Sequence, residues 1–493
     1  MKSLHTSLLS LFLILFSFSL IQAQSAPVYI EGGHYFDTDQ KQMVENEGIL
    51  IRGGRFYQIG AKPDESELDE YRVITLEDDE YILPGMIDVH AHYRMEAFGS
   101  DSLDEIDEFK YNALVYLANG VTSTFSNGVY YPYLELASKR LINTGEWTGP
   151  RLWASGPYFG SARTGWDDDI TKEEIYEQVD YWAALGVDGF KTKGGSPHVI
   201  KHLVNRAHWH GLTVAGHLSS GIRNSTNSIT AIDLGIDRVE HILGGFVLDS
   251  TKRAYPVWNQ VDTSSTAFKK TVQYFLKHDV FFDPTINAPV YFTTLKEGFD
   301  YWVDEKSMFT PYVRSLLPPR ESLEGSELMD SLYYTMRRTT KAFYDAGGGN
   351  LITFGTDAPS HGYFLAGFGA HREMHAMVMA GIPEAAVLKI SSQNSANAIG
   401  KGSLLGSIET GKLADVYIVE GNPLDDITNT RNVQLVIKSG KVYDPEILLN
   451  KVKGEIGPSD AAEVNSWFKH PKQVQAAEQL RAMGEVIWSS ESN

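Results

Sequence analysis

The sequence predicts an α/β chain: a TIM-type (β/α)8 barrel with a small β-sandwich formed from N- and C-terminal segments. Three observations predict it. The 493 residues exceed one compact core but suit a barrel of about 250 residues or more with a smaller companion. Eight short apolar runs alternate with helical stretches through the middle of the chain, which argues for a closed parallel sheet. Alternating β texture flanks that region on both sides.

Composition narrows the function. Hydrophobic residues make up 42% and aromatics 12%, enough for a sizeable core. With 43 basic against 63 acidic side chains the net charge is −20, a surface that repels phosphate backbones, so nucleic acid is excluded as a partner. The absence of cysteine excludes a disulfide scaffold, a thiolate zinc site, a cysteine nucleophile and a lipoprotein anchor.

Residues 1–23 read as a signal peptide. Lys2 gives a positive start, Leu8 to Ile21 is apolar and uncharged, and Ile21-Gln22-Ala23 offers a cleavage site. The run is shorter than the roughly 20 residues that span a bilayer, so no stable membrane anchor is expected. Its removal takes away one charge, Lys2, and moves the net charge from −20 to −21. A cysteine-free exported chain points to a bacterial periplasm or the cell exterior.

The first sandwich segment covers residues 24–83. Gly48–Ile51 and Arg55–Ile59 flank Gly53-Gly54, a hairpin signal. The barrel covers 84–403, with strands expected at Met86–His92, Val121–Phe125, Arg151–Ser155, Gly189–Lys193, Thr213–His217, Arg238–Ile242, Val280–Asp283 and Leu351–Asp357. The second sandwich segment covers 404–450, with strands at Asp415–Glu420 and Val433–Lys438. Residues 451–493 form a helical tail, in which Val474, Ala477, Leu480, Met483 and Ile487 make an apolar stripe. The stretch from Tyr291 to Met336 breaks the βα rhythm. Its aromatics, Phe299, Tyr301, Trp302, Phe309 and Tyr312 among them, are expected to cover the barrel mouth or an interface.

Potential ligands stand at the ends of five of these strands. On a strand, His90 and His92 share a face. Lys191 and His217 are 26 residues apart and His217 and His241 are 24, close to the roughly 30-residue barrel unit. Asp357 ends the eighth run. Active sites of such barrels lie at the C-terminal strand ends. His202, His208 and His210 read as surface or capping residues, and the His371, Glu373, His375 cluster as helix packing. His361, in the loop after Asp357, is placed to meet substrate.

This set resembles the amidohydrolase superfamily, most closely its imidazolonepropionase-like branch. Leu83-Pro84-Gly85-Met86-Ile87-Asp88-Val89-His90-Ala91-His92 is similar to that family's first strand, and Gly186–Lys191 to its fourth. His217, His241 and Gly355-Thr356-Asp357 are similar to strands five, six and eight, and Gly406–Asp415 with Gly421–Leu424 to the return into the sandwich. The resemblance implies a metal-dependent hydrolase acting on carbon–nitrogen bonds, with two divalent metal ions and zinc the expected one. It implies a carboxylated Lys191 bridging both ions, His90, His92 and Asp357 on one, and His217 and His241 on the other. It further implies a metal-bridging hydroxide as nucleophile and Asp357 as the catalytic base. Lys193 shares the face of Lys191 and is its rival; the family's spacing from an aspartate like Asp188 favours Lys191. Imidazolonepropionase itself is disfavoured, because its site is mononuclear and lacks the lysine. Dipeptidase-like relatives place an aromatic near the fifth-strand histidine, where this chain has Leu218-Ser219-Ser220.

The expected substrate is a small molecule or peptide carrying an amide or short peptide bond. A cyclic amidase or deaminase, and a metal-bound binding protein without turnover, are the alternatives. A homo-oligomer is compatible with all three. Finally, His90-x-His92-x-Arg94 resembles dihydroorotases, in which the arginine grips a substrate carboxylate. If Arg94 does so here, Arg94→Met weakens binding of acidic-ended substrates far more than of their amide or ester analogues, which paired inhibition assays would measure.

Overall fold

A computed structural model describes residues 26–95, 106–107, 109–163, 166, 170–292, 305–316, 325–358, 365–463 and 471–491. The signal-peptide segment, His361 and the aromatics Phe299, Tyr301 and Trp302 lie outside the described residues, as does the side chain of Arg94.

The chain begins with five strands: β1 (Val28–Asp37), β2 (Gln42–Glu45), β3 (Ile49–Arg52), β4 (Arg55–Ile59) and β5 (Arg72–Pro84). The β3–β4 hairpin turns at Gly53 and Gly54, whose φ angles of 58° and 76° match the doubly left-handed turn that suits a twisted hairpin. Barrel strands follow in β6 (Met86–Ala91), then a two-stranded ribbon of β7 (Arg94–Met95) and β8 (Ile106–Asp107). Next come β9 (Val121–Ser126), β10 (Arg151–Phe159), β11 (Gly189–Lys193), β12 (Thr213–His217), β13 (Arg238–Glu240) and β14 (Phe281–Asp283). Finally β15 (Val416–Glu420), β16 (Val433–Lys438) and β17 (Lys441–Tyr443) return to the first sheet.

The sandwich expectation takes the form of one mixed eight-stranded sheet built from both ends of the chain. Its order is β17-β16-β15-β5-β1-β3-β4, with β2 paired to β1. Alternation along the strands explains how it attaches. Ile82, Val416, Ile418 and Ile437 join one apolar cluster with Val28, Ile30 and Phe56. Their neighbours Leu83, Tyr417 and Val436 point the other way, into the barrel's core.

The second sheet is parallel, in the order β14-β13-β12-β11-β10-β9-β6. Residues 351–358 close it. Phe282 N donates to Leu351 O at 2.8 Å on the β14 side, and Val89 N donates to Phe354 O at 2.9 Å on the β6 side. Asp357 N reaches His90 O at 2.9 Å. Strands buried on both faces need apolar or internally satisfied residues throughout, and every residue of β6 and β9 is buried.

The described part of the 291–336 stretch is mostly helical. Glu305, which is 1% exposed, pairs with Arg372 and accepts from Leu365 N at 2.9 Å. This ties the segment to the loop that follows Asp357. Phe309 is buried beside Ile456, and Ile456 N donates to Met308 O at 3.0 Å.

The tail forms the helix Pro471–Glu491. Its buried edge departs from the expected stripe: Gln473, Ala476, Ala477 and Leu480 are buried, while Met483 is 51% exposed. Small residues decide this. A Cβ on Gly484 would stand 2.1 Å from the Tyr181 hydroxyl, so the helix approaches the barrel closely through Gly484 and turns Met483 outward. Among the described residues no helix is long and apolar enough to cross a membrane.

Candidate metal centre and active site

The C-terminal ends of the barrel strands bring the predicted donors together around His90. This residue is fully buried and crosses the barrel interior. Its Nδ1 donates to Asp283 Oδ2 at 2.9 Å, which leaves the Nε2 lone pair facing inward. That nitrogen lies 2.9 Å from Lys191 Nζ and 3.3 Å from Asp357 Oδ1. His92 Nε2 meets the same Asp357 oxygen at 2.9 Å. Lys191, 2% exposed, also reaches Glu240 Oε2 at 2.9 Å. Its rival Lys193 stands two residues further along β11 and is half-buried.

His241 follows β13 with φ 65°, and Asp357 has φ 54°. Both are in the left-handed region, which costs a β-carbon residue about 1–3 kcal/mol and clusters at functional sites. The turn at His241 has a consequence. Glu240 and His241 are sequence neighbours that a regular strand would point apart, yet both enter the centre. Thr285 Oγ1 meets His241 Nδ1 at 2.7 Å and fixes the ring. His217 stands beside it, ring centres 4.4 Å apart, and its Nε2 faces the Tyr255 hydroxyl at 3.3 Å.

Burial sets the protonation states. It lowers His92 to about 4, against the opposing pull of Asp357. It lowers His217 to about 3, helped by Lys193 and Lys191. His241 is held well below the ordinary imidazole value for the same reason. For Asp357, burial acts upward but the neighbouring imidazoles, His90 first, outweigh it and hold the carboxyl well below its usual range. Burial likewise acts upward on Glu240 and is outweighed by Lys191, His90 and Arg238, so this carboxyl is also lowered. Neutral imidazoles beside ionised carboxylates are the donors a borderline divalent cation takes.

Among the described residues, two donor groups have ligand atoms within 4.8 Å of one another: His90, His92 and Asp357, and His90, Glu240 and His241. The first is the set expected for one ion. The second brings in Glu240 where His217 was expected, and His217 falls in neither group. Asp283 Oδ1 is buried without a hydrogen-bond partner, an acceptor left over in a region rich in donors for a cation. The residues present therefore fit divalent metal.

Sequence reasoning missed Glu240 and Asp283. Asp283 had a signal: it is the one charged residue in Val280-Phe281-Phe282-Asp283 and stands at a strand's end. Glu240 had one as well, since it shares the inward face of β13 with Arg238 two residues earlier, and it is His241 that the left-handed turn brings in beside it. Asp88 also does more than its sequence suggested. It accepts from His90 N at 3.0 Å and from Thr356 Oγ1 at 2.6 Å, fastening the first strand to the eighth. Burial raises its carboxyl to about 6.

His208, His210 and His371 have structural partners. His208 pairs with Asp237 at 3.0 Å and His210 with Asp180 at 2.7 Å. Glu373 accepts from the backbone of Ile286 and Asn287 at 2.7 and 2.9 Å, and His371 Nδ1 meets Thr430 Oγ1 at 3.1 Å. Helix packing accounts for both.

Gly355 makes the first-strand and seventh-strand groups compatible. A Cβ there would stand 2.5 Å from both carboxylate oxygens of Asp283 and 2.6 Å from His90 Cβ. Gly355→Ala is expected to destabilise the fold by about 1–3 kcal/mol, the usual effect of overpacking, and to weaken metal uptake because His90 must move. Urea unfolding with metal analysis would check both.

Residues 81–443 match the Amidohydrolase family. The chain belongs to the amidohydrolase family. This amidohydrolase is accordingly an enzyme, a hydrolase. No curated protein matches it. Its fold is similar to that of a solved Xaa-Pro dipeptidase with bound methionine in the active site, at 22% identity and TM-score 0.62, covering 85% of this chain and 100% of that one. It is similar also to a putative prolidase from Bifidobacterium longum, at 22% identity and TM-score 0.62, covering 87% and 99%. A third is A. niger ochratoxinase, at 19% identity and TM-score 0.60, covering 85% and 95%.

Proposed function

We propose that this amidohydrolase cleaves a carbon–nitrogen bond, in an amide or short peptide, using two divalent cations, with zinc favoured by the donor set. The observation that carries the reading is the convergence of His90 Nε2 and His92 Nε2 on one oxygen of Asp357, at 3.3 and 2.9 Å. His90, His92 and Asp357 would hold one ion and His217 and His241, with Glu240 beside them, the other; Lys191 would serve both once carboxylated, since an ammonium has no lone pair to offer. Ions so held supply Lewis acidity, which polarises a carbonyl and acidifies water.

The chain's own residues do the rest. Asp357, kept ionised, takes the proton from the attacking water as oxygen bonds to the carbonyl carbon. It then returns that proton to the departing nitrogen as the carbon–nitrogen bond breaks. Asp283 holds the His90 ring and Thr285 the His241 ring, so the donors are fixed before substrate arrives. The structural relatives named a Xaa-Pro dipeptidase and a prolidase support a short peptide or N-acyl amino acid as substrate. The sequence of residues 1–23 supports export to a periplasm or beyond.

The test is a panel of N-acyl amino acids, dipeptides and cyclic amides, assayed for released amine with metal analysis alongside. Turnover of linear amides is expected. Turnover confined to cyclic amides or amino-substituted rings would favour the cyclic amidase or deaminase reading instead.

A further inference from the structure

Lys193 is the cation that the proposed chemistry leaves unused, and its placement is specific. It lies two residues beyond Lys191 on β11, so it shares that face one step nearer the barrel mouth. Its register partner on the next strand is His217. Its Nζ lies 5.8 Å from the centre of the Tyr158 ring, and Lys191 Nζ lies 6.0 Å from the same centre. Tyr158 is 4% exposed, while Tyr130, whose ring centre is 5.0 Å away, is 46% exposed. The ammonium therefore sits between the buried donors and an aromatic rim.

We infer that Lys193 receives a carboxylate of the substrate and makes this enzyme selective for acidic-ended amides, N-acyl amino acids or dipeptides with a free carboxylate. This rests on the proposed carbon–nitrogen hydrolysis and names its substrate class. Lys193 and His217 are register partners on adjacent strands, so a group received at Lys193 lies on the His217 side of the centre. In a chain of net charge −20, a lysine at the mouth also offsets the repulsion an anionic substrate meets. Arg94 is the competing anchor; its backbone belongs to the β7–β8 ribbon, outside the barrel sheet.

Paired N-acyl amino acids and their carboxamides test this, with kcat/KM measured for wild type, Lys193→Met, Lys193→Arg and Arg94→Met. A charge-assisted contact predicts that Lys193→Met lowers the carboxylate-to-carboxamide ratio about 10- to 100-fold, mainly through KM. Lys193→Arg should restore most of it. An unchanged ratio in Lys193→Met, or a ratio that falls only in Arg94→Met, overturns the inference. Should the wild type hydrolyse neither series, the carbon–nitrogen reading fails, and calorimetry with N-acetyl amino acids and their carboxamides decides the anchor separately. Preference for the carboxylate that disappears in Lys193→Met supports it, and equal binding overturns it.

Discussion

Asp357→Asn is expected to keep the fold and lose turnover by about 10²–10⁴-fold, the usual effect of removing a general base. The amide keeps the size and the backbone bond from Asp357 N to His90 O that helps close the barrel. It keeps an oxygen at the place where His92 Nε2 meets Asp357 Oδ1. What it lacks is the negative charge, and with it the capacity to take a proton from water and pass it to a leaving nitrogen. Circular dichroism and thermal unfolding should therefore stay near wild type while kcat falls. Near wild-type activity would show that another group moves the proton.

The second large effect is on metal content. The wild type is expected to bind two divalent ions per chain, and Lys191→Ala to lose at least one. Lys191 stands 2.9 Å from both His90 Nε2 and Glu240 Oε2, in contact with members of both donor groups. In metal-free protein, where Lys191 is an ammonium paired with Glu240, its removal also breaks a buried pair, a change that costs about 3–5 kcal/mol. Metal analysis should accordingly be made on protein shown to be folded. One ion per chain, unchanged in the variant, would contradict the two-ion arrangement.

The barrel was legible because its strands are short, apolar and separated by helical stretches, and because each donor ends such a run. His90 Nε2 stands 2.9 Å from Lys191 Nζ and 3.3 Å from Asp357 Oδ1, and its ring lies beside those of His92 and His241. Less legible were features that depend on backbone geometry at single residues. His241 enters the centre beside Glu240 because it takes a left-handed φ of 65°, which no hydrophobic period encodes. Asp283 reaches His90 because Gly355 leaves the space, a condition set by a residue 72 positions away in the chain. The tail helix was expected from its periodicity, but its buried edge follows Gly484 and Tyr181, a packing choice that an apolar stripe does not contain. The accessory strands were read from alternation, whereas their union into one mixed sheet comes from the parallel pairing of β1 with β5, a long-range contact.

The most direct test of the account is the release of free amine from linear N-acyl amino acids by metal-loaded protein, compared with chelator-treated protein and with Asp357→Asn. The account predicts metal-dependent release in the wild type, abolished by the chelator and reduced by orders of magnitude in the variant. Metal-replete, folded wild type that releases no amine from any linear or cyclic amide would contradict it.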